Sequence, residues 1–218
     1  NFAELDRTYA RRFRKLASAA GVDRVVYLSG ISGDERNLSP HLASRREVES
    51  VLEGGSFDLT VLRAAIIIGA GSASFRIVDD LTERLPVMTV PKWVRTPCQP
   101  ISLSDAVAYL VGVLDAEETR GGIYDIGAPT VWSYESLLKL TAEQKGKRVL
   151  ILPVPVMSPS LSSHWLRLTT DVQYAIARPL VESMRNPVTV DPKRDLQSVV
   201  PIEQTPVETA VQRALADG

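Results

Sequence analysis

Apolar residues recur at helical spacing at the start of the chain and then form a continuous run. The spaced residues are Phe2, Leu5, Tyr9, Phe13, Leu16 and Ala20. Because they stand three or four positions apart, they predict one face of an α-helix, and Gly21 stands where that helix would end. The run Val-Val-Tyr-Leu at 25–28 then predicts a strand that is buried on both faces.

Two more helices and a second buried strand are predicted downstream. Ser39 is suited to cap a helix that ends near residue 54, with Pro40 at its first position. Residues 59–68 are rich in β-branched side chains and predict a strand, after which Ser72 or Ser74 caps a third helix. Strands that alternate with such helices indicate crossover connections and a mainly parallel sheet. The pattern therefore predicts an α/β fold that looks like the second half of a doubly wound sheet.

The sequence changes character at Pro86, because thirteen of the fourteen prolines lie at or beyond it. Short elements are expected from there onward: a helix opened by Ser104–Asp105, strands at 123–126 and 149–156, a helix capped by Ser133, helices near 161–168 and 172–184, and a terminal helix from Thr205–Pro206 to Ala216. The strand at 149–156 is expected to be buried. This part of the chain therefore predicts a region of short elements and fixed turns.

Composition excludes several classes of protein. The 218 residues are 44% hydrophobic and 23% charged, which is ordinary for a soluble globular chain. The net charge of -1 argues against a nucleic-acid partner and against a polybasic membrane surface. The single cysteine, Cys98, leaves no disulfide framework, and with only two histidines we expect no metal site. No apolar run approaches the roughly 20 residues that span a bilayer, so we expect a cytoplasmic protein without a membrane span.

Four segments resemble parts of one enzyme superfamily, and their order and spacing match as well. They are Val-Val-Tyr-Leu-Ser-Gly-Ile-Ser-Gly at 25–33, Thr-Val-Leu-Arg-Ala-Ala-Ile-Ile-Ile-Gly-Ala-Gly at 60–71, Gln-Pro-Ile-Ser-Leu-Ser-Asp-Ala-Val-Ala at 99–108, and Gly-Ile-Tyr-Asp-Ile-Gly-Ala-Pro at 122–129, followed by Ser-Tyr-Glu at 133–135. The chain resembles extended and atypical short-chain dehydrogenases/reductases, including nucleotide-sugar epimerases and NmrA-like proteins.

The resemblance implies a fold, a domain division and a cofactor. The expected fold is the C-terminal half of a doubly wound parallel-sheet Rossmann fold with a smaller C-terminal substrate lobe. Residues 1–128 would be the remainder of the dinucleotide-binding domain, with an excursion around 86–100, and residues 129–218 would be the smaller lobe. The expected cofactor is NAD(P), without a choice between NAD and NADP.

The glycine-rich turn of that superfamily does not occur in the sequence. Such a turn, Gly-x-x-Gly-x-x-Gly, holds the pyrophosphate at a helix N-terminus, and Gly69-Ala-Gly71 is too short and follows the wrong strand. The chain also starts at Asn1 and enters a helical pattern at once. We therefore expect the numbering to begin inside a longer protein. The alternative is a chain that cannot bind a dinucleotide in the usual way.

The resemblance also implies a pair of catalytic residues on one helix. The superfamily carries a tyrosine there, with a lysine four residues later, and the matching segment is His41-Leu-Ala-Ser-Arg45. This spacing puts His41 and Arg45 on one helix face. A histidine can exchange a proton near neutral pH, and an arginine can hold ribose hydroxyls or phosphate. The alternative is that both are solvated residues that were retained after catalysis was lost.

Other site residues are placed by the same resemblance. Ser29 and Ser32 follow a parallel strand, where one of them would polarise the reacting oxygen, or they are ordinary turn serines. The next strand would offer the nicotinamide an apolar wall, or be only strand core, through Ala64, Ala65, Ile66 and Ile67. The candidate substrate contacts do not rest on the resemblance: they are Phe75, Trp93, Arg95 and Gln99, the last three in a loop that the prolines at 91 and 100 would hold extended. For Trp93 and Arg95 the alternatives are packing and a solvated charge.

Two principal functions remain open at this stage. The first is an NAD(P)-dependent oxidoreductase or epimerase-like enzyme that acts on a small or nucleotide-linked substrate. The second is a non-catalytic NAD(P)-binding sensor or scaffold protein, which the replacement of Tyr/Lys by His41/Arg45 motivates. A structural partner-binding domain is a third, weaker alternative.

Overall fold

A computed structural model describes residues 2–32, 38–154 and 183–218. The helices are α1 (Phe2–Ala19), α2 (Pro40–Glu53), α3 (Ala73–Arg84), α4 (Leu103–Asp115), α5 (Tyr134–Gln144) and α6 (Val207–Ala216). The strands are β1 (Arg24–Gly30), β2 (Asp58–Ala64), β3 (Ile67–Ile68), β4 (Val87–Pro91), β5 (Pro97–Cys98), β6 (Ile101–Ser102), β7 (Ile123–Ile126), β8 (Trp132–Ser133) and β9 (Leu150–Val154). The helices predicted near 161–168 and most of 172–184, together with His164, lie outside the described residues.

Three parallel strands in the order β1-β2-β7 form the main sheet, and helices cover both of its faces. On one face, Val25 of β1 packs in a cluster with Leu52 of α2. On the other face, Leu62 of β2 packs in a cluster with Tyr109 of α4. The predicted α/β architecture with a parallel sheet is therefore confirmed.

Three sequence-based details are wrong. Residues 59–68 form two strands instead of one, because the ladder with β1 and β7 ends at Ala64 and β3 pairs with β6 instead. The described part of the strand predicted at 149–156 is not uniformly buried: β9 pairs only with β4 among the described strands, and Ile151 is covered while Leu150 and Leu152 are exposed. Ser102, not Ser104, caps α4, since its hydroxyl accepts a hydrogen bond from the Asp105 amide at 3.0 Å.

The other predicted helix starts agree with the structure. Ser39 caps α2, with Pro40 at the first helical position, and Ser72 is the cap of α3. Ser133 caps α5 in a capping box with Ser136, whose hydroxyl accepts from the Ser133 amide at 2.9 Å. These caps satisfy amide groups that have no partner inside the helix. They fix where α2, α3 and α5 begin, and the candidate site lies beside these three helix starts.

The C-terminal segment is tied to α4 through a buried tyrosine. The Tyr109 hydroxyl donates to Gln197 Oε1 at 2.5 Å and accepts from Gln204 Nε2 at 3.2 Å. Gln204 Nε2 also donates to the carbonyl of Gly127 at 2.7 Å. This network fastens residues 197–204 across the end of β7.

Two helices expose many apolar side chains, and one edge of β1 has no partner among the described strands. Within the described residues β1 pairs only with β2, and most of its side chains are half-buried, so the predicted burial on both faces is wrong. Five side chains of α1 are 49–61% exposed: Phe2, Leu5, Tyr9, Phe13 and Leu16. Four of α4 are also exposed: Leu103, Val107, Val111 and Leu114. Exposed apolar helix faces and a strand edge without a partner both favour association.

We therefore expect the 218-residue chain to self-associate through this surface. The double substitution Leu5→Lys and Phe13→Lys should shift sedimentation velocity profiles towards the monomer, because it places charge on the exposed stripe of α1. The control is Gln212→Lys, at an exposed position of α6, which should leave the profile unchanged. A monomeric wild-type chain at all concentrations would contradict this expectation.

None of the helices in the described ranges combines the length and the apolarity that crossing a bilayer requires.

Candidate functional site

A cavity of about 220 Å³ lies at the carboxyl ends of β1 and β2. Its walls come from these strands, from α2, from the first residues of α3 and α5, and from residues 183–188. Seven residues predicted for the site line it: Ser29, His41, Arg45, Ala64, Ala65, Ile66 and Ile67. Open α/β sheets bind ligands at this edge. The structure thus brings these residues together, and their role towards a cofactor stays a prediction.

Ser29 belongs to a buried cluster of charged groups between the sheet and α2, which we call the Glu49 cluster: Ser29, Arg46, Glu49 and Arg63. The Ser29 hydroxyl donates to Glu49 Oε1 at 2.5 Å. Arg63 donates to the same carboxylate from Nη2 at 2.6 Å and from Nε at 3.3 Å. Arg46 forms an ion pair with it from the neighbouring turn of α2.

The hydrogen bond to Glu49 determines whether the Ser29 hydroxyl can act as a donor or as an acceptor in the cavity. A carboxylate only accepts hydrogen bonds, and a serine hydroxyl has a single proton to donate. Because that proton is directed at Glu49, the Ser29 oxygen presents acceptor lone pairs to a ligand. Ser29 is therefore arranged to receive a hydrogen bond in the cavity, whereas polarising a carbonyl oxygen requires a donor.

Ser32 is held by the same cluster, outside the cavity wall. Its hydroxyl oxygen accepts a hydrogen bond from Arg46 Nη2 at 2.6 Å, and the same nitrogen donates to the carbonyl of Gly30 at 3.1 Å. Ser32 is buried. Arg46 therefore links the end of β1 to α2. The catalytic role predicted for Ser32 stays a prediction.

His41 and Arg45 lie on one side of α2, as their spacing predicts. Arg45 forms an ion pair with Asp6 of α1, and its guanidinium carbon lies 5.6 Å from the centre of the Phe2 ring. Arg45 Nη1 also donates to the Tyr27 hydroxyl at 3.4 Å. Arg45 is therefore held by α1 and β1 and is not freely solvated. A ligand that binds it must compete with Asp6.

Burial of His41 lowers its pKa below the usual 6.5, and the positive charge of Arg45 lowers this pKa further, against an opposing effect of Asp6. The ring also faces the Phe2 ring, with 6.4 Å between centroids. The neutral imidazole is therefore favoured at pH 7. A neutral imidazole can accept a proton from a ligand.

The lowered pKa of His41 predicts a pH-dependent stability. Unfolded His41 binds a proton near pH 6.5, whereas the folded protein binds it only at lower pH. The stabilisation is therefore present above pH 6.5 and is lost as the pH falls below that value. Thermal midpoints measured from pH 7.5 to 5 should decline less in His41→Gln than in the wild type. Parallel declines would contradict the assignment.

The four predicted substrate residues lie apart from the described wall of the cavity. Phe75 is buried in the core that α3 shares with α5. The side-chain amide of Gln99 bonds to two backbone segments: its nitrogen donates to the carbonyl of Ala128 at 2.6 Å, and its oxygen accepts from the Val190 amide at 2.9 Å. Arg95 is exposed and pairs with Glu135 at 2.8 Å. The side chain of Trp93 lies outside the described part of the structure, and substrate contact by these four residues stays a prediction.

The cavity wall also contains polar groups that sequence reasoning missed. Tyr134 and Ser74 line it, and neither hydroxyl has a hydrogen-bond partner among the described residues. The Glu49 cluster was missed as well. Arg63 is the only charged residue in the apolar stretch 59–68, and a charge inside a buried strand requires a partner. That signal predicts a buried carboxylate but does not place it on α2.

The cavity is smaller than a typical site for a whole cofactor. Sites for drug-sized ligands have volumes of roughly 300–1,000 Å³, and 220 Å³ is below that range. An apolar wall from Ala64 to Ile67 and the unpartnered side chains of His41, Ser74 and Tyr134 suit a flat ring that carries a polar carboxamide. The residues therefore fit the nicotinamide end, and the sequence has no glycine-rich turn for the pyrophosphate.

Comparison with solved structures identifies the fold. Triphenylmethane reductase of Citrobacter sp. superposes with a TM-score of 0.73 at 19% identity, over 98% of this chain and 72% of that one. An NADPH-dependent quinone oxidoreductase of Escherichia coli gives 0.72 at 18% identity, over 94% and 72%. A nucleoside-diphosphate-sugar epimerase of Staphylococcus aureus gives 0.71 at 13% identity, over 93% and 69%. The chain has the fold of these enzymes.

The Rossmann-like fold expected from the sequence is thereby confirmed. No protein-family model matches the sequence, and no curated protein matches it. One fold serves many activities, so the activity must be argued from the cavity and its side chains.

Proposed function

We propose that this chain is part of an NAD(P)-dependent oxidoreductase or epimerase-like enzyme that acts on a small or nucleotide-linked substrate. The observation that carries the proposal is the convergence of His41, Arg45, Ser29 and the 64–67 wall on one cavity at the carboxyl ends of parallel strands. The fold shared with reductases and epimerases supports it. The choice between NAD and NADP is left to experiment.

Each side chain has a distinct part in this proposal. The bound nicotinamide supplies hydride chemistry, and the protein supplies binding, orientation and proton handling. The wall from Ala64 to Ile67 packs against the ring and excludes water. Arg45 holds the ribose or phosphate, and neutral His41 accepts the proton that leaves a substrate hydroxyl. Ser29, whose own proton faces Glu49, accepts a hydrogen bond from the carboxamide or from a substrate hydroxyl.

A thermal-shift screen tests the proposal without knowledge of the substrate. NAD, NADP, NADH and NADPH are added separately to the protein, and the midpoint of unfolding is measured. A ligand that binds only the folded state raises this midpoint, and the gain in stability grows with the logarithm of one plus the ratio of the ligand concentration to Kd. We expect at least one of the four dinucleotides to raise it, and no rise with any of them would refute the proposal.

Arg45→Ala is expected to weaken dinucleotide binding roughly 10–100-fold, because a hydrogen bond to a charged group contributes about 1.5–3 kcal/mol. Isothermal titration measures the dissociation constant. The matched control is Arg7→Ala, which removes an exposed ion pair between α1 and Glu47 of α2 and should leave binding unchanged. Equal dissociation constants for Arg45→Ala and the wild type would show that Arg45 serves only Asp6 and Tyr27.

A further inference from the structure

Tyr134 is a buried tyrosine whose hydroxyl has no hydrogen-bond partner among the described residues. It is the first residue of α5, is only 6% exposed, and lines the cavity. The hydroxyl oxygen is not among the described side-chain atoms that are fully buried without a partner, so this atom keeps some contact with solvent. Because the rest of the residue is buried in the core and the residue lines the cavity, the hydroxyl is available to a ligand there.

The other deeply buried tyrosine shows the ordinary arrangement. Tyr109, in α4, is almost fully buried, and its hydroxyl bonds both Gln197 and Gln204. The fold therefore supplies partners for a tyrosine hydroxyl when the residue serves only structure. Tyr134 has the packing of a core residue, but its hydroxyl lacks such partners.

The surroundings of Tyr134 keep its hydroxyl protonated. Burial raises the pKa of the phenol, and the nearby Cys98 thiol raises it further. A neutral phenol donates one hydrogen bond, whereas a phenolate can only accept. The side chain is thus suited to donate to an oxygen throughout the working pH range of most proteins.

Reduction of a carbonyl substrate in this cavity requires such a hydrogen-bond donor. Polarising a carbonyl requires an O–H or N–H directed at its oxygen, and Ser29 directs its proton at Glu49. The imidazole of His41 is neutral at pH 7 and suited to accept a proton. Ser74 also lines the wall but is half-buried, whereas Tyr134 is 6% exposed and its ring is held by packing in the core.

We propose that Tyr134 is a catalytic residue that donates a hydrogen bond to the reacting oxygen of a carbonyl substrate bound in the cavity. This rests on the proposed oxidoreductase function. The tyrosine would thus come from α5 and not from α2, where the superfamily carries it and this chain has His41. As hydride from NADH or NADPH reaches the carbonyl carbon, the oxygen gains negative charge, so the hydrogen bond strengthens in the transition state. The proton that completes the alcohol comes from water through the His41 imidazole, in the reverse of the proton transfer proposed for oxidation.

The stability of two phenylalanine variants tests whether the Tyr134 hydroxyl is free. Tyr134→Phe removes only an unpaired hydroxyl, so the midpoint of thermal unfolding should stay equal or rise. The matched control Tyr109→Phe removes two hydrogen bonds, about 1 kcal/mol each, and should lower the midpoint by roughly 4–8 °C. A similar loss in Tyr134→Phe would show that its hydroxyl serves the fold, and the proposal would be wrong.

Turnover tests the catalytic role. With NADH or NADPH and 1,4-benzoquinone as a carbonyl probe, kcat should fall roughly 10²–10³-fold in Tyr134→Phe, as on removal of an oxyanion donor. The KM for the dinucleotide should be unchanged. Tyr109→Phe should keep the wild-type kcat. A Tyr134→Phe variant with wild-type kcat overturns the proposal.

A spectroscopic test separates this proposal from the oxidoreductase function on which it rests. In protein labelled with ¹³C at the tyrosine Cζ atoms, cyclohexanone, a ketone without donors, should shift the Tyr134 resonance and leave that of Tyr109 in place. An unshifted Tyr134 resonance at saturating ketone contradicts the donor role even if dinucleotides bind. A shifted resonance without any dinucleotide binding supports the donor and rejects the oxidoreductase instead.

Discussion

Replacing His41 with alanine is expected to lower kcat about 10²–10⁴-fold, the usual contribution of a positioned acid–base group. The imidazole lines the cavity without a hydrogen-bond partner among the described residues, and its lowered pKa leaves it neutral and able to accept a proton at pH 7. Because proton transfer occurs only in the transition state, the KM for NAD(P) should change little. Steady-state kinetics of alcohol oxidation by NAD or NADP measures both quantities.

The pH profile gives His41 a second signature. In the wild type, kcat/KM for oxidation should fall on the acid side with an apparent pKa below 6.5, where His41 takes up a proton, and His41→Ala should lose this limb. Arg7→Ala, at the surface pair between α1 and α2, is the matched control and should keep both the rate and the profile. If His41→Ala retained the full rate, proton transfer would have to be reassigned to another group.

Glu49→Ala is expected to destabilise the protein by about 3–5 kcal/mol, because removing one partner leaves a buried charge uncompensated. Glu49 is 7% exposed and Arg63 5%, and the carboxylate also receives hydrogen bonds from Arg46 and Ser29. For a chain of this length, each kcal/mol corresponds to a thermal midpoint lower by roughly 2–4 °C. Thermal and denaturant unfolding monitored by circular dichroism measure the loss.

Glu47→Ala provides the matched control for this prediction. Glu47 lies two residues earlier on α2 and pairs with Arg7, and about half of its side chain is exposed. Exposed ion pairs contribute about 0–1 kcal/mol, so the unfolding midpoint should barely move. Equal losses in Glu47→Ala and Glu49→Ala would mean that the Glu49 cluster does not stabilise the fold more than a surface pair does.

Local signals were sufficient to predict most of the fold. The caps Ser39 and Ser133 act within a few residues of themselves, and periodicity identified α1, α2 and α5 correctly. The errors arose where pairing over long distances decides the outcome. β3 leaves the main sheet because β6, more than thirty residues later, offers it a partner. The exposure of Leu150 in β9 likewise depends on the absence of further neighbours beyond β4 among the described strands.

The candidate site was only partly predictable, for a related reason. Ser29, His41 and Arg45 were found through their resemblance to a known superfamily, and the structure brings them to one cavity. Contacts made across the fold were not predictable from spacing. Asp6 pairs with Arg45 from another helix, and Glu49 is bound by an arginine on a different strand. Tyr134 reaches the cavity from far along the chain, and its unpaired hydroxyl is visible only in three dimensions.

The most direct measurement is a fluorescence titration of NADH and NADPH with the wild-type protein and with Ala65→Phe. Ala65 is half-buried in the cavity wall, so a phenylalanine ring there would occupy the space assigned to the nicotinamide. We predict that the wild type enhances the emission of at least one reduced dinucleotide and that nicotinamide mononucleotide reverses this enhancement. Ala65→Phe should unfold at a similar temperature and bind neither dinucleotide. Binding of equal strength by both proteins, or no binding by the wild type, would contradict the nicotinamide site.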